Sequence, residues 1–153
     1  MRPLPRQSLA EPREGGNRVA ELTAAVTDTH PLLFHAAGGR RLGPRARALF
    51  AAAEDRAAII YVPIVVIWEV TLLARAVRVN LHRPVREFFG DLFTSPAYQV
   101  HPLDSGQVFD AGELRALRDP FDALVCAAAR DLELPLITRD GTITDSKLIR
   151  AIW

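Results

Sequence analysis

The chain has 153 residues but only one cysteine, one methionine and, at Lys147, one lysine. The lone Cys126 excludes a disulfide framework. Set in the apolar stretch "ALVCAAA" (123–129), it reads as a small buried core residue of a protein in a reducing, cytoplasmic compartment. A nucleophilic thiol needs an accessible, charge-assisted setting that these neighbours do not offer. The basic residues, otherwise all arginine, number 19 against 18 acidic ones, for a net charge of +1. No overall field therefore draws nucleic acid or a membrane surface. Long hydrophobic runs are also lacking. The longest, "AAIIYVPIVVIW" (57–68), is broken by Pro63, closed by Glu69 and too short to span a bilayer. The histidines at 30, 35, 82 and 101 show no ligand spacing, which argues against zinc. Walker and Rossmann glycine loops and a nucleophile elbow are absent.

About half of the residues are hydrophobic, at 49%, which suits one globular domain with a real core. Residues 1–20, rich in Pro, Gly, Arg and Glu and without an apolar run, read as a flexible N-terminal extension to a domain over 21–153. Short apolar runs at 22–28, 57–62, 97–103 and 134–138 predict buried strands, and the tail after Asp145 a last short one. Helical spacing and caps predict helices over 29–38, 43–56, 63–79, 84–93, 104–117 and 119–132. Alternating buried strands and helices predict a three-layer α/β/α sandwich around a parallel sheet.

The stretch "RDPFDALVCAAARD" (118–131) holds two aspartates with an ordinary explanation. Asp119 suits an N-cap and Pro120 the first helical position, while Asp122 favours the positive end of the helix dipole. Asp28 and Asp140 each follow a predicted strand, where turn or cap duty is the plain alternative. Glu69 interrupts "IVVIWEVTLL", a segment so apolar that its helix is expected to be buried all round. A carboxylate there must be paired, with Arg75 as the ordinary partner, or bound to metal. Ligands of open parallel sheets sit beyond the carboxyl ends of the strands. Four acids converging there repel one another, and a hard divalent cation, Mg²⁺ or Mn²⁺, relieves that repulsion. The chemistry this suggests is metal-assisted phosphodiester hydrolysis.

Four segments in order, "VTDTHPLLF", "VVIWEVTLL", "RDPFDALVCAAA" and "LPLITRDGTI", make residues 23–153 resemble a PIN domain of the kind found in VapC-type toxins. The resemblance places Asp28, Glu69, Asp122 and Asp140 on the family's acidic quartet and leaves Asp119 as the cap. It implies an Mg²⁺- or Mn²⁺-dependent ribonuclease with an RNA substrate, a cognate antitoxin protein and a homodimeric state. Thr27 and Thr138 are expected to orient the carboxylates, and Arg118, Arg139 and Arg75 are candidates for holding RNA phosphates. Ala123 departs from the arginine that relatives often carry there. Two other readings compete. One is a non-catalytic PIN-like module binding RNA or protein through its acidic pocket. The other is a phospho-aspartyl phosphatase using Asp28, disfavoured because His30 stands where a second carboxylate is needed.

Overall fold

The computed structural model describes residues 23–153, so the proposed extension over 1–20 lies outside the described residues. Five short strands form one sheet: β1 (Ala24–Thr27), β2 (Ile59–Pro63), β3 (Tyr98–His101), β4 (Leu136–Ile137) and β5 (Ala151–Ile152). Seven helices flank it: α1 (Thr29–Ala36), α2 (Pro44–Glu54), α3 (Ile64–Arg75), α4 (Val85–Leu92), α5 (Ser105–Glu113), α6 (Pro120–Leu132) and α7 (Gly141–Ser146). The strand order is β3-β2-β1-β4-β5 and every pairing is parallel. Each crossover carries one or two helices, as parallel strands require. This is the α/β/α sandwich the sequence predicts.

Helices cover the sheet, so its central strands need no polar face. Ala25, Val26, Ile60, Val62, Leu136 and Ile137 are withdrawn from water, and Leu32, Phe50, Val66, Val70 and Val125 pack over them from the helices. Each large side chain among them contributes roughly 1.5–3 kcal/mol by leaving water. Cys126 belongs to this core, together with Ala127, Ala128 and Ala129. These small side chains let α6 lie close against β1 and α5.

Several local expectations change. α3 is not buried all round, because it leaves Ile64 40% and Trp68 48% exposed. It also stops at Arg75 rather than 79, since Val77 turns into the left-handed region at φ 55° with neither glycine nor proline to announce it. α5 ends at Glu113, four residues early, and the strand expected over 134–138 shortens to Leu136–Ile137. α7 has no counterpart in the sequence reading. It is under two turns long and started by Asp140, too short to show a hydrophobic period. Among the described residues, no helix is long and apolar enough to cross a membrane.

The chain runs outward from β1 through β2 to β3, then returns to the other side of β1 as β4. Strand order therefore reverses between β1 and β4, and their carboxyl ends flank the crevice where open α/β sheets bind ligands. The backbone N–H of Asp28 donates to Ile137 O at 3.0 Å along this seam.

Candidate active site

Asp28 leaves β1 in an extended conformation and caps α1. Its Oδ1 accepts the Thr29 N–H at 2.8 Å, and its Oδ2 accepts the Thr138 hydroxyl at 2.8 Å. With 8% exposure, Asp28 is the most buried of the acids. Asp140, just beyond β4, caps α7 by accepting the Ile143 N–H at 3.0 Å. Its own N–H donates to Thr138 Oγ1 at 3.1 Å. Thr138 thus ties the two strand-end aspartates together. Thr27 does something else, donating to the backbone carbonyl of Asp28.

α6 separates the duties of the "DPFD" aspartates. Asp119 Oδ1 accepts the N–H groups of Phe121, at 2.8 Å, and Asp122, at 3.2 Å, which makes it the cap. The half-buried Asp122 carboxylate accepts no hydrogen bond among the described residues. Glu69, on α3, accepts the Thr29 hydroxyl at 2.9 Å. The proposed Arg75 partner is not used: Arg75 is exposed and makes no ion pair among the described residues. Thr29 is the site residue the sequence reading missed. Its position directly after Asp28 was the available signal, but what it holds is 40 residues away.

These carboxylates share one electrostatic neighbourhood. Burial, then the charges of Asp140, Asp119, Asp28 and Glu69, push the Asp122 carboxyl up to about 7. Burial is also the leading cause that raises Asp28 and Glu69. The hydrogen bonds from Thr138 and Thr29 oppose it, and His30 eases both groups. The same field, after burial, drives the Cys126 thiol up to about 12, so that sulfur is inert. The structure therefore gathers Asp28, Glu69, Asp122 and Asp140 at the switch point. Three of them stand at the starts of α1, α6 and α7, where helix dipoles lower the cost of negative charge.

Among the described residues, no three such side chains converge at metal-ligating separation. The donor set nonetheless suits a hard cation, being all oxygen, and the Asp122 carboxylate accepts no hydrogen bond among the described residues. Of the three candidate arginines, Arg75 and Arg118 are exposed and have no ion partner among the described residues, while Arg139 lies over the rings of Phe34 and Trp153.

Comparison with known proteins identifies the fold and the family. A family model described as the PIN domain matches residues 25–145, and the chain belongs to the PIN domain family, whose members are generally nucleases. The fold is similar to that in the crystal structure of VapBC2 from Rickettsia felis bound to a DNA fragment from their promoter. The TM-score is 0.60 at 14% identity, over 84% of this chain and 97% of that one. It is also similar to FitAcB from Neisseria gonorrhoeae, with a TM-score of 0.57 at 15% identity over 84% and 96% of the two chains. FitAB bound to an IR36 DNA fragment gives 0.59 at 17% identity, over 84% and 93%. Comparison with curated proteins gives no significant match.

Proposed function

We propose that this PIN domain is a divalent-cation-dependent endoribonuclease that cuts RNA phosphodiester bonds, acting in the cytoplasm as the toxin of a toxin–antitoxin pair. The observation that carries the reading is Asp122, a half-buried carboxylate with no hydrogen-bond donor among the described residues, pressed by four other carboxylates. A cation satisfies such a group where no side chain does. Asp28, Asp122 and Asp140 would hold Mg²⁺ or Mn²⁺. When bound, the ion would acidify a water and offset charge on the phosphodiester.

The remaining work falls to the chain itself. Thr138 fixes the Asp28 carboxylate through one oxygen and leaves further lone pairs open. Thr29 fixes Glu69 through Oε2, leaving Oε1 to accept a proton from the attacking water. Asp122 must give up its proton before it binds a cation, so its carboxyl near 7 couples binding to pH. The similarity to VapBC2 and FitAB structures supports a cognate antitoxin protein as partner, and the homodimer is carried over from the family resemblance alone.

The test is incubation of the purified protein with RNA in Mg²⁺, Mn²⁺ or EDTA, beside Asp28→Asn and Asp122→Asn. Cleavage is expected only with metal and only in the unaltered chain. Cutting in EDTA, or full activity in either variant, would sink the proposal. The lack of three acids already at ligating separation favours, as the second reading, a non-catalytic RNA- or protein-binding module. RNA binding without cutting under every metal would select it. A small neighbouring gene for a DNA-binding protein, co-purifying as a complex, tests the toxin role.

A further inference from the structure

One ring beside the acidic site carries two cations. Phe34, on α1, has the Arg41 guanidinium 4.3 Å from its centroid and that of Arg139 at 5.0 Å. Arg139 also lies 5.7 Å from the ring of Trp153, which meets Phe34 edge-on at 6.4 Å. Cation–π attraction holds each guanidinium. It does nothing for the repulsion between two like charges on one ring, and among the described residues neither arginine has an ion-pair partner. Both are exposed to solvent.

The arrangement is built by the backbone. Gly38 and Gly39, at φ 102° and 78°, end α1 and fold the chain back, with the Gly39 N–H donating to Phe34 O at 2.8 Å. That return sets Arg41 over the ring that α1 presents. Trp153 is seated by Gly43, where any Cβ would come within 2.5 Å of it, and by the Arg45 N–H, which donates to Trp153 O at 3.3 Å. Arg139 directly precedes Asp140, and Phe34 lies five residues along α1 from Thr29, roughly 8 Å at the helical rise. The cluster is therefore one short reach from the carboxylates.

We infer that Arg41 and Arg139 form a phosphate subsite that grips a flanking phosphodiester of single-stranded RNA and positions the strand across the acidic site. This rests on the nuclease reading for what happens to the strand. Guanidinium forks match phosphate oxygens, and an anion drawn to this pair of arginines supplies the missing countercharge. The half-buried Trp153 beside Arg139 adds an aromatic ring of the kind on which bases stack.

The test measures binding of a labelled, mixed-sequence single-stranded RNA to the full chain in EDTA over a salt series. Arg41→Gln and Arg139→Gln each weaken binding about tenfold at low salt. The double variant lowers the slope of log affinity against log salt by about 0.7, the value for one phosphate on a single strand. In Mg²⁺ both raise KM far more than they lower kcat. Wild-type affinity and slope in the double variant overturn the inference. So does a lower melting temperature with unchanged binding, which assigns the pair to packing.

If a Gln variant melts below the assay temperature, Arg41→Lys and Arg139→Lys decide. Weaker binding at an unchanged salt slope supports the fork, and wild-type affinity overturns it. In a Trp68→Phe background, RNA shifts the emission of Trp153 and inorganic phosphate at equal concentration does not. An equal response to both, or to neither, rejects the strand assignment. Arginine-dependent binding without cutting under any metal keeps the subsite and ends the nuclease reading. Metal-dependent cutting with unaltered binding in the Gln variants does the reverse.

Discussion

Thr138 donates its hydroxyl proton to Asp28 Oδ2 at 2.8 Å, joining residues 110 apart in sequence. Both are buried, at 1% and 8% exposure, and the same hydroxyl oxygen receives the Asp140 N–H. One side chain thereby links the two aspartates that follow β1 and β4. Thr138→Val keeps the shape but leaves a buried carboxylate oxygen without its donor. Stability in urea denaturation should fall by about 1–3 kcal/mol, and more Mg²⁺ should be needed for half-maximal cleavage. Thr138→Ser should restore both. A Val variant as stable as the parent would contradict the tie.

The two aspartates of α6 should separate cleanly. Asp119→Ala removes the cap and should cost about 1 kcal/mol of stability, with metal-dependent cleavage retained. Asp122→Asn removes a charge that four neighbours oppose, so the metal-free protein should melt at a higher temperature while cleavage and metal binding disappear. Thermal melts with and without Mg²⁺, beside an RNA cleavage assay, read both effects. A stabilised Asp122→Asn that still cuts would show that the carboxylate is not a ligand.

Metal-free stability should fall as pH rises. The Asp122 carboxyl titrates near 7 in the folded chain against an ordinary 3.8, so between these values the folded state holds a proton that the unfolded state has lost. The associated stability is complete below about 3.8 and is lost as pH climbs through about 7. Asp28 and Glu69, also raised, act in the same direction. Glu54, lowered chiefly by the Tyr98 hydroxyl, acts oppositely and only below its ordinary 4.5. Calorimetry at pH 5 and 8 should show the higher melting temperature at pH 5. Mg²⁺ should add more at pH 8, where no proton competes for the same oxygens. A metal-free protein more stable at pH 8 would reverse the sign and reject the assignment.

Gly43→Ala should disturb the carboxyl end of β5. The new Cβ would stand 2.5 Å from Trp153 Cδ1 and 2.6 Å from its backbone carbon, so the tryptophan must move. Overpacking of this kind costs roughly 1–3 kcal/mol. A lower melting temperature and changed Trp153 emission in a Trp68→Phe background are the expected readings. An unperturbed spectrum would show that the strand end adapts without cost.

The sequence by itself determined the strand–helix alternation, the parallel sandwich and the four acids worth watching. Buried parallel strands appear as short apolar runs, and Asp119, Pro120 and Asp104 announce their helices through local chemistry. Those signals act within a few residues and survive in one dimension. α7, the early end of α3 and the open face of Ile64 and Trp68 had no such signal. A helix under two turns long has no period to show, and Val77 enters the left-handed region against its own preference. Tertiary structure alone decided which distant hydroxyls hold Glu69 and Asp28. Glu69 lies six residues from Arg75 in sequence but takes its hydrogen bond from Thr29, and Asp28 takes one from Thr138. It also decided that Arg139 shares an aromatic ring with Arg41. Hydrogen bonds and ring contacts need angstrom proximity between distant segments, and only the packed sheet supplies it.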